Sequence, residues 1–116
     1  MTLPRTAVDR ASGLVTEKAF MDTILQAAEL CGWYAYHTHD SRRSTAGFPD
    51  LVLIKPPRVV FLEVKSQRGR LSRDQAEVLA MLQECGPGYC RRLSEGVQAA
   101  MVRPSDWEQI VEWLSV

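Results

Sequence analysis

Cysteine is scarce in this sequence and odd in number. Cys31, Cys85 and Cys90 include no CxxC pair, which counts against both a disulfide framework and a structural zinc site. Small thiols in a reducing compartment are the simpler reading. Long apolar runs are also missing, and the N-terminus MTLPRTAVDR lacks the apolar centre of a signal peptide. A cytoplasmic protein without membrane contact is therefore expected. There is no net charge either, because 14 Lys and Arg balance 14 Asp and Glu; the total gives no support for a polyanionic partner.

The distribution of that charge says more than its sum. From Ser41 to Arg73 the bases are Arg42, Arg43, Lys55, Arg58, Lys65, Arg68, Arg70 and Arg73, against only Asp50 and Glu63, whereas Pro104 to Val116 holds Asp106, Glu108 and Glu112 and no base. A positive centre with two isolated acids suits a polyanion approaching a metal, and equally suits a solvated basic face. At 116 residues, 46% apolar and 24% charged, the chain is expected to be one globular domain over 1–116, with a polar arm at 1–13.

Helical and strand periods alternate along the chain. Thr16 reads as an N-cap, and Phe20, Ile24, Ala27 and Cys31 recur at helical spacing before Gly32, which places Glu17 in the first turn of a helix of about fifteen residues. Trp33 to Thr38 reads as a strand entering the polar loop HDSRRSTAG. His37 and His39 lie two apart on its end, but no further His or Cys is near enough in sequence to make them a metal pair. Asp50 to Ile54 and Val59 to Lys65 read as strands joined through Lys55, Pro56, Pro57 and Arg58. Ser72 and Gln75 form a capping-box pattern opening a second helix with Ala76, Leu79, Ala80 and Leu82 as its buried stripe, ended by Gly86, Pro87 and Gly88. Tyr89 to Leu93 and Val97 to Val102 are candidate strands around Ser94, Glu95 and Gly96. A last helix from Pro104 and Ser105 carries Trp107, Ile110, Val111 and Leu114 on one face. The expected fold is α/β, a mixed central sheet flanked by helices.

The stretch GFPDLVLIKPPRVVFLEVK, Gly47 to Lys65, carries the chemistry. Alternation puts Val59, Phe61, Glu63 and Lys65 on one face and Val60, Leu62 and Val64 on the other. Glu63 and Lys65 then point the same way, roughly 7 Å apart at about 3.3 Å per residue. A hard cation such as Mg²⁺ needs only one or two carboxylates, and keeps its waters. Asp50 and Glu63 could supply them, with the backbone carbonyl of Val64 as a third oxygen. Lys65 could position or deprotonate an attacking water, or stabilise the transition state. The competing reading makes Asp50 a turn cap and Glu63 with Lys65 an exposed pair on an edge strand.

The segments GFPDLVL and FLEVKSQRGRLSRDQ resemble the PD-(D/E)XK nuclease superfamily, and within it the VRR-NUC domains found alone in phages and bacteria or fused to larger repair nucleases. The resemblance runs from about Glu17 to about Arg103. It implies a restriction-endonuclease-like core in a phage or bacterial intracellular protein that acts on DNA in recombination or repair. It also implies Asp50 and Glu63 as metal-binding acids for Mg²⁺ or Mn²⁺, and Lys65 as the catalytic lysine. Glu17 would be a helix-borne acid assisting the metal, and Gln75 would orient the site or touch the DNA backbone, in addition to capping. DNA contacts are expected from Arg42, Arg43 and Ser44 in the first loop and Arg68, Arg70 and Arg73 in the second.

Stand-alone members resemble small Holliday junction resolvases that act as dimers, so a homodimer cutting branched or double-stranded DNA is the leading expectation. The helix with Trp107 and Trp113 is one candidate contact. A monomeric flap or nicking endonuclease and a non-catalytic DNA-binding module are the alternatives.

Overall fold

A computed structural model describes residues 15–38, 45–85 and 96–115. The first helix, α1, spans Glu17–Leu30, with the Thr16 side chain accepting from the Ala19 N–H at 3.1 Å. Phe20, Ile24, Ala27 and Ala28 form its buried stripe. It ends at Cys31, and Gly32 follows at φ 84°, a backbone conformation suited to glycine. The Lys55 ammonium donates to the Cys31 carbonyl at 2.8 Å, a cation where the helix dipole is negative.

Three strands follow, β1 (Tyr34–His37), β2 (Leu51–Lys55) and β3 (Arg58–Val64), and after α2 (Arg73–Gln83) comes β4 (Gly96–Val102). They form one sheet in the order β1-β2-β3-β4, with β1, β2 and β3 antiparallel and β4 parallel to β3. A 3₁₀ turn at Pro104–Asp106 leads into α3, Trp107–Leu114. The expected mixed α/β sheet flanked by helices is what forms.

Alternation decides which sheet face becomes the core. Val60, Leu62 and Val64 of β3, with Leu51 and Leu53 of β2 and Val102 of β4, are buried against α1 and against Trp107, Ile110 and Leu114 of α3. Each such side chain contributes about 1.5–3 kcal/mol through burial. The Trp33 indole N–H donates to the Leu114 carbonyl at 3.0 Å, tying α3 to the start of β1. Helix α2 takes the opposite face, where Gln83 donates to the Ala99 carbonyl at 3.1 Å.

Five expectations change. Lys55 and Arg58 pair directly across β2 and β3, so only Pro56 and Pro57 make the turn. Arg58 is 5% exposed, its guanidinium 4.5 Å from the Trp33 ring centre and 3.2 Å from the Trp113 carbonyl, so Arg58, like Lys55, serves the fold rather than a basic surface. Helix α2 buries Leu79 and half-buries Gln75, Val78, Leu82 and Gln83, while Ala76 and Ala80 face solvent; alanine tolerates exposure, and the glutamines turn inward to polar partners. Trp107 is 3% exposed and spends its ring in the core, which removes it as a dimer contact. Gly96, expected in a turn with Ser94 and Glu95, is the first residue of β4; the proposed strand at Tyr89 to Leu93, Ser94, Glu95, the Gly86 to Gly88 stop, His39 and the 1–13 arm lie outside the described residues.

Candidate active site

The register of β2 with β3 builds the site. Leu51 pairs with Leu62, so one step further along the ladder Asp50 comes opposite Glu63, on the face shared with Val52 and Phe61. Two hydrogen bonds extend the sheet to this row: the Thr38 N–H donates to the Asp50 carbonyl at 3.1 Å, and the Lys65 N–H donates to the Val102 carbonyl at 3.0 Å. The Asp50 carboxylate is fixed by the Val64 N–H, which donates to its Oδ2 at 3.0 Å. In a strand a residue's N–H and C=O point to the same side, so the Val64 carbonyl also points toward Asp50.

Glu63 is the group under tension. Its side chain is 3% exposed; Oε1 accepts from the Gln75 amide at 3.0 Å and lies 3.7 Å from the Lys65 ammonium. Its other oxygen, Oε2, is buried without a hydrogen-bond partner. Burial pushes the Glu63 pKa from 4.5 up to about 8, aided by the neighbouring Asp50 carboxyl and by the charge of Glu17, and opposed by Lys65. Two neighbouring acids, one with an unpartnered buried oxygen, make a place that a cation would relieve.

Glu17, Asp50, Glu63 and Gln75 line one open cavity of about 420 Å³, together with Thr38, Phe48, Ser72 and Asp74. Among the described residues no three His, Cys, Asp or Glu side chains stand close enough to form a complete metal-ligand set. A hard divalent ion does not require one. Two carboxylates and a carbonyl make an all-oxygen donor set of the kind Mg²⁺ and Mn²⁺ accept, and the unpartnered Oε2 is a ligand atom with nothing else to do. The residues fit such an ion.

Helix α2 reaches the site through its first turn. Ser72 accepts from the Gln75 N–H at 3.1 Å and the Gln75 side chain accepts from the Ser72 N–H at 2.8 Å, so the capping box forms. Gln75 therefore caps the helix through Oε1 and donates to Glu63 through Nε2. The 45–49 segment closes over this turn. Gly47 has φ 94°, and a Cβ there would fall 2.4 Å from the Asp74 carbonyl oxygen, so only glycine permits the approach.

Arg68 and Arg70 are exposed, and Arg73 is exposed with its guanidinium 3.1 Å from Glu77. Arg42, Arg43 and Ser44 lie outside the described residues. His37 is half-buried and does not line the cavity.

Hydrogen bonds from outside the Gly47 to Lys65 stretch brace the neighbouring loop. The Arg103 guanidinium donates to the Gly69 carbonyl at 2.9 Å, while Gln67 and Ser105 exchange two hydrogen bonds of 3.0 Å. This clasp fastens the loop between Lys65 and Ser72 to the β4–α3 junction.

The model of the VRR-NUC domain family matches residues 4–103 of the chain. The chain belongs to this family. The match reaches back beyond Glu17, into the stretch read as an arm. A VRR-NUC domain is a nuclease of the PD-(D/E)XK type. DNA is the substrate such a domain implies, and nucleases of this type typically use divalent metals. No curated protein and no solved structure matches the chain significantly. No helix among the described residues is long and apolar enough to cross a membrane.

Proposed function

We propose that this VRR-NUC domain is a Mg²⁺- or Mn²⁺-dependent endonuclease that cuts branched DNA, a Holliday junction resolvase working as a homodimer. The observation that carries the metal dependence is the buried, unpartnered Oε2 of Glu63 beside the Asp50 carboxyl. Asp50, Glu63 and the Val64 carbonyl would hold the ion, with Glu17 at the same cavity. When bound, the ion would offset the charge of the scissile phosphate and acidify the attacking water.

The chain's own residues do the rest. Lys65 brings a positive charge within 3.7 Å of Glu63, placed to orient the water, take its proton or stabilise the charge that builds on the phosphate. Gln75 occupies Glu63 Oε1 and leaves Oε2 for the ion. Arg68, Arg70 and Arg73, with Arg42, Arg43 and Ser44, would bind phosphates and set the register of the DNA. A bare binding module would gain nothing from two acids in the path of a phosphate.

Symmetry supports the junction. A four-way junction is approximately two-fold and needs two matched cuts, and an isologous pair of chains supplies two identical sites. The test is a strand-labelled panel of junction, flap, nicked and linear DNA with Mg²⁺ or Mn²⁺, with the protein's size in solution measured alongside. Paired symmetric nicks on the junction by a dimer are expected. A monomer that prefers flaps would replace the resolvase with a flap endonuclease. Absence of cleavage on every DNA would leave the binding module.

A further inference from the structure

Phe48 is not explained by metal binding or phosphate contact. It lies two residues before Asp50, lines the same cavity as Asp50 and Glu63, and is 46% exposed. Apolar side chains beside charged carboxylates are usually buried or replaced. Here the ring is held in place instead. It makes a T-shaped contact with Phe61, centres 5.9 Å apart and planes at 89°. Its backbone is fixed on one side by the tight approach of Gly47 to Asp74, and on the other by buried Pro49.

Among the described residues, the surroundings leave room for a ligand. Phe61 pairs with Val52, and Val52 with Tyr36, so one row of the sheet runs Phe61, Val52, Tyr36 directly behind the row of Glu63 and Asp50. Helix α2 packs chiefly over β4 and β3, and Tyr36 on β1 is 53% exposed. Phe48, against Phe61, and Tyr36 in the same row as Phe61 thus place aromatic rings on this face beside the acids.

We infer that Phe48 is a specificity-determining residue, a stacking platform for a nucleobase beside the scissile phosphate. Resting on the nuclease reading above, this names the feature of the DNA that the site selects. Bases in an intact duplex have both faces covered by their neighbours, so a ring at this position can stack only on a base that is unpaired or unstacked. Substrates that expose such a base next to the cut gain the contact; continuous duplex does not. A preference for branched or distorted DNA then follows from a single side chain, whatever the number of chains that assemble.

Phe48→Leu keeps an apolar contact with Phe61 and removes the aromatic face; Phe48→Trp enlarges that face. On DNA with an unpaired base at the cut, Phe48→Leu should lower kcat/KM about tenfold more than on paired duplex, the scale of one base–aromatic stack. Phe48→Trp should retain the preference. The contact can also be read without cleavage, in a Lys65→Ala background with Mg²⁺ and 2-aminopurine at the base beside the cut. Fluorescence should be quenched with Phe48 present and brighter with Phe48→Leu. A Phe48→Leu chain that cleaves every substrate in the wild-type ratio, or quenches 2-aminopurine as the wild-type ring does, overturns the inference while leaving the nuclease reading intact. A wild type that cleaves no DNA overturns both.

Discussion

Glu63 concentrates the conflict of the site in one carboxyl. It is buried, faces a second acid, and has one oxygen held by Gln75 and one held by nothing. Its pKa of about 8 when folded, against 4.5 when free, makes a prediction about stability. Below pH 4.5 the group is protonated in folded and unfolded chains alike, and folding is at full strength. As pH rises toward 8 the unfolded chain releases its proton first, so the fold loses stability, and beyond 8 the loss is complete. At about 1.4 kcal/mol per pKa unit the decline amounts to a few kcal/mol. Urea unfolding in chelator from pH 5 to 8 should show this slope in wild type and a flatter one in Glu63→Gln. Added Mg²⁺ should stabilise wild type more at pH 8 than at pH 6, because the ion competes with the proton. Parallel slopes for the two proteins would contradict the account of Glu63.

Elements enter the site through their ends. The first turn of α2 supplies Gln75, and its position depends on the 45–49 segment lying against Asp74. Gly47→Ala would add a Cβ 2.4 Å from the Asp74 carbonyl, at a φ of 94°. It should cost about 1–3 kcal/mol in stability and displace the turn, so activity should fall even under conditions where the variant is fully folded. Unchanged thermal stability and cleavage would show that the close approach is not needed. The sequence made much of this legible. The Thr16 and Ser72 caps, the stop at Gly32 and the alternation of β3 follow from local rules. The Gln67–Ser105 clasp does not, because its partners are 38 residues apart and neither belongs to a periodic pattern. Arg58 misled for the same reason. A base beside a proline turn reads as solvated until Trp33 and Trp113 are known to lie over it.

At the scale of the molecule, one sheet face packs on α1 and α3, and the other carries α2 and the row of Asp50 and Glu63. Leu51, Leu53, Val60, Leu62 and Val64 hold α1 and α3, which leaves Asp50, Glu63, Lys65 and Phe48 on the outward side or rim near the start of α2. The motif from Gly47 to Lys65 marked the acids and the lysine correctly as neighbours, since strand pairing brings together what the sequence separates by thirteen positions. It could not mark Phe48 as exposed or Glu63 as half-satisfied, which depend on what packs nearby. The proposed phosphate contacts of Arg68, Arg70 and Arg73 predict that binding to DNA weakens as salt rises, through release of counterions; a salt-independent Kd would argue against a basic contact surface. The most direct measurement is single-turnover cleavage, with Mg²⁺, of the best-cut DNA in the panel by wild type, Asp50→Ala and Lys65→Ala, with binding of the same DNA followed in parallel. Each substitution is predicted to slow cleavage by about a hundredfold or more while binding is retained. Cleavage by either variant at the wild-type rate would contradict the assignment of the chemistry to Asp50, Glu63 and Lys65.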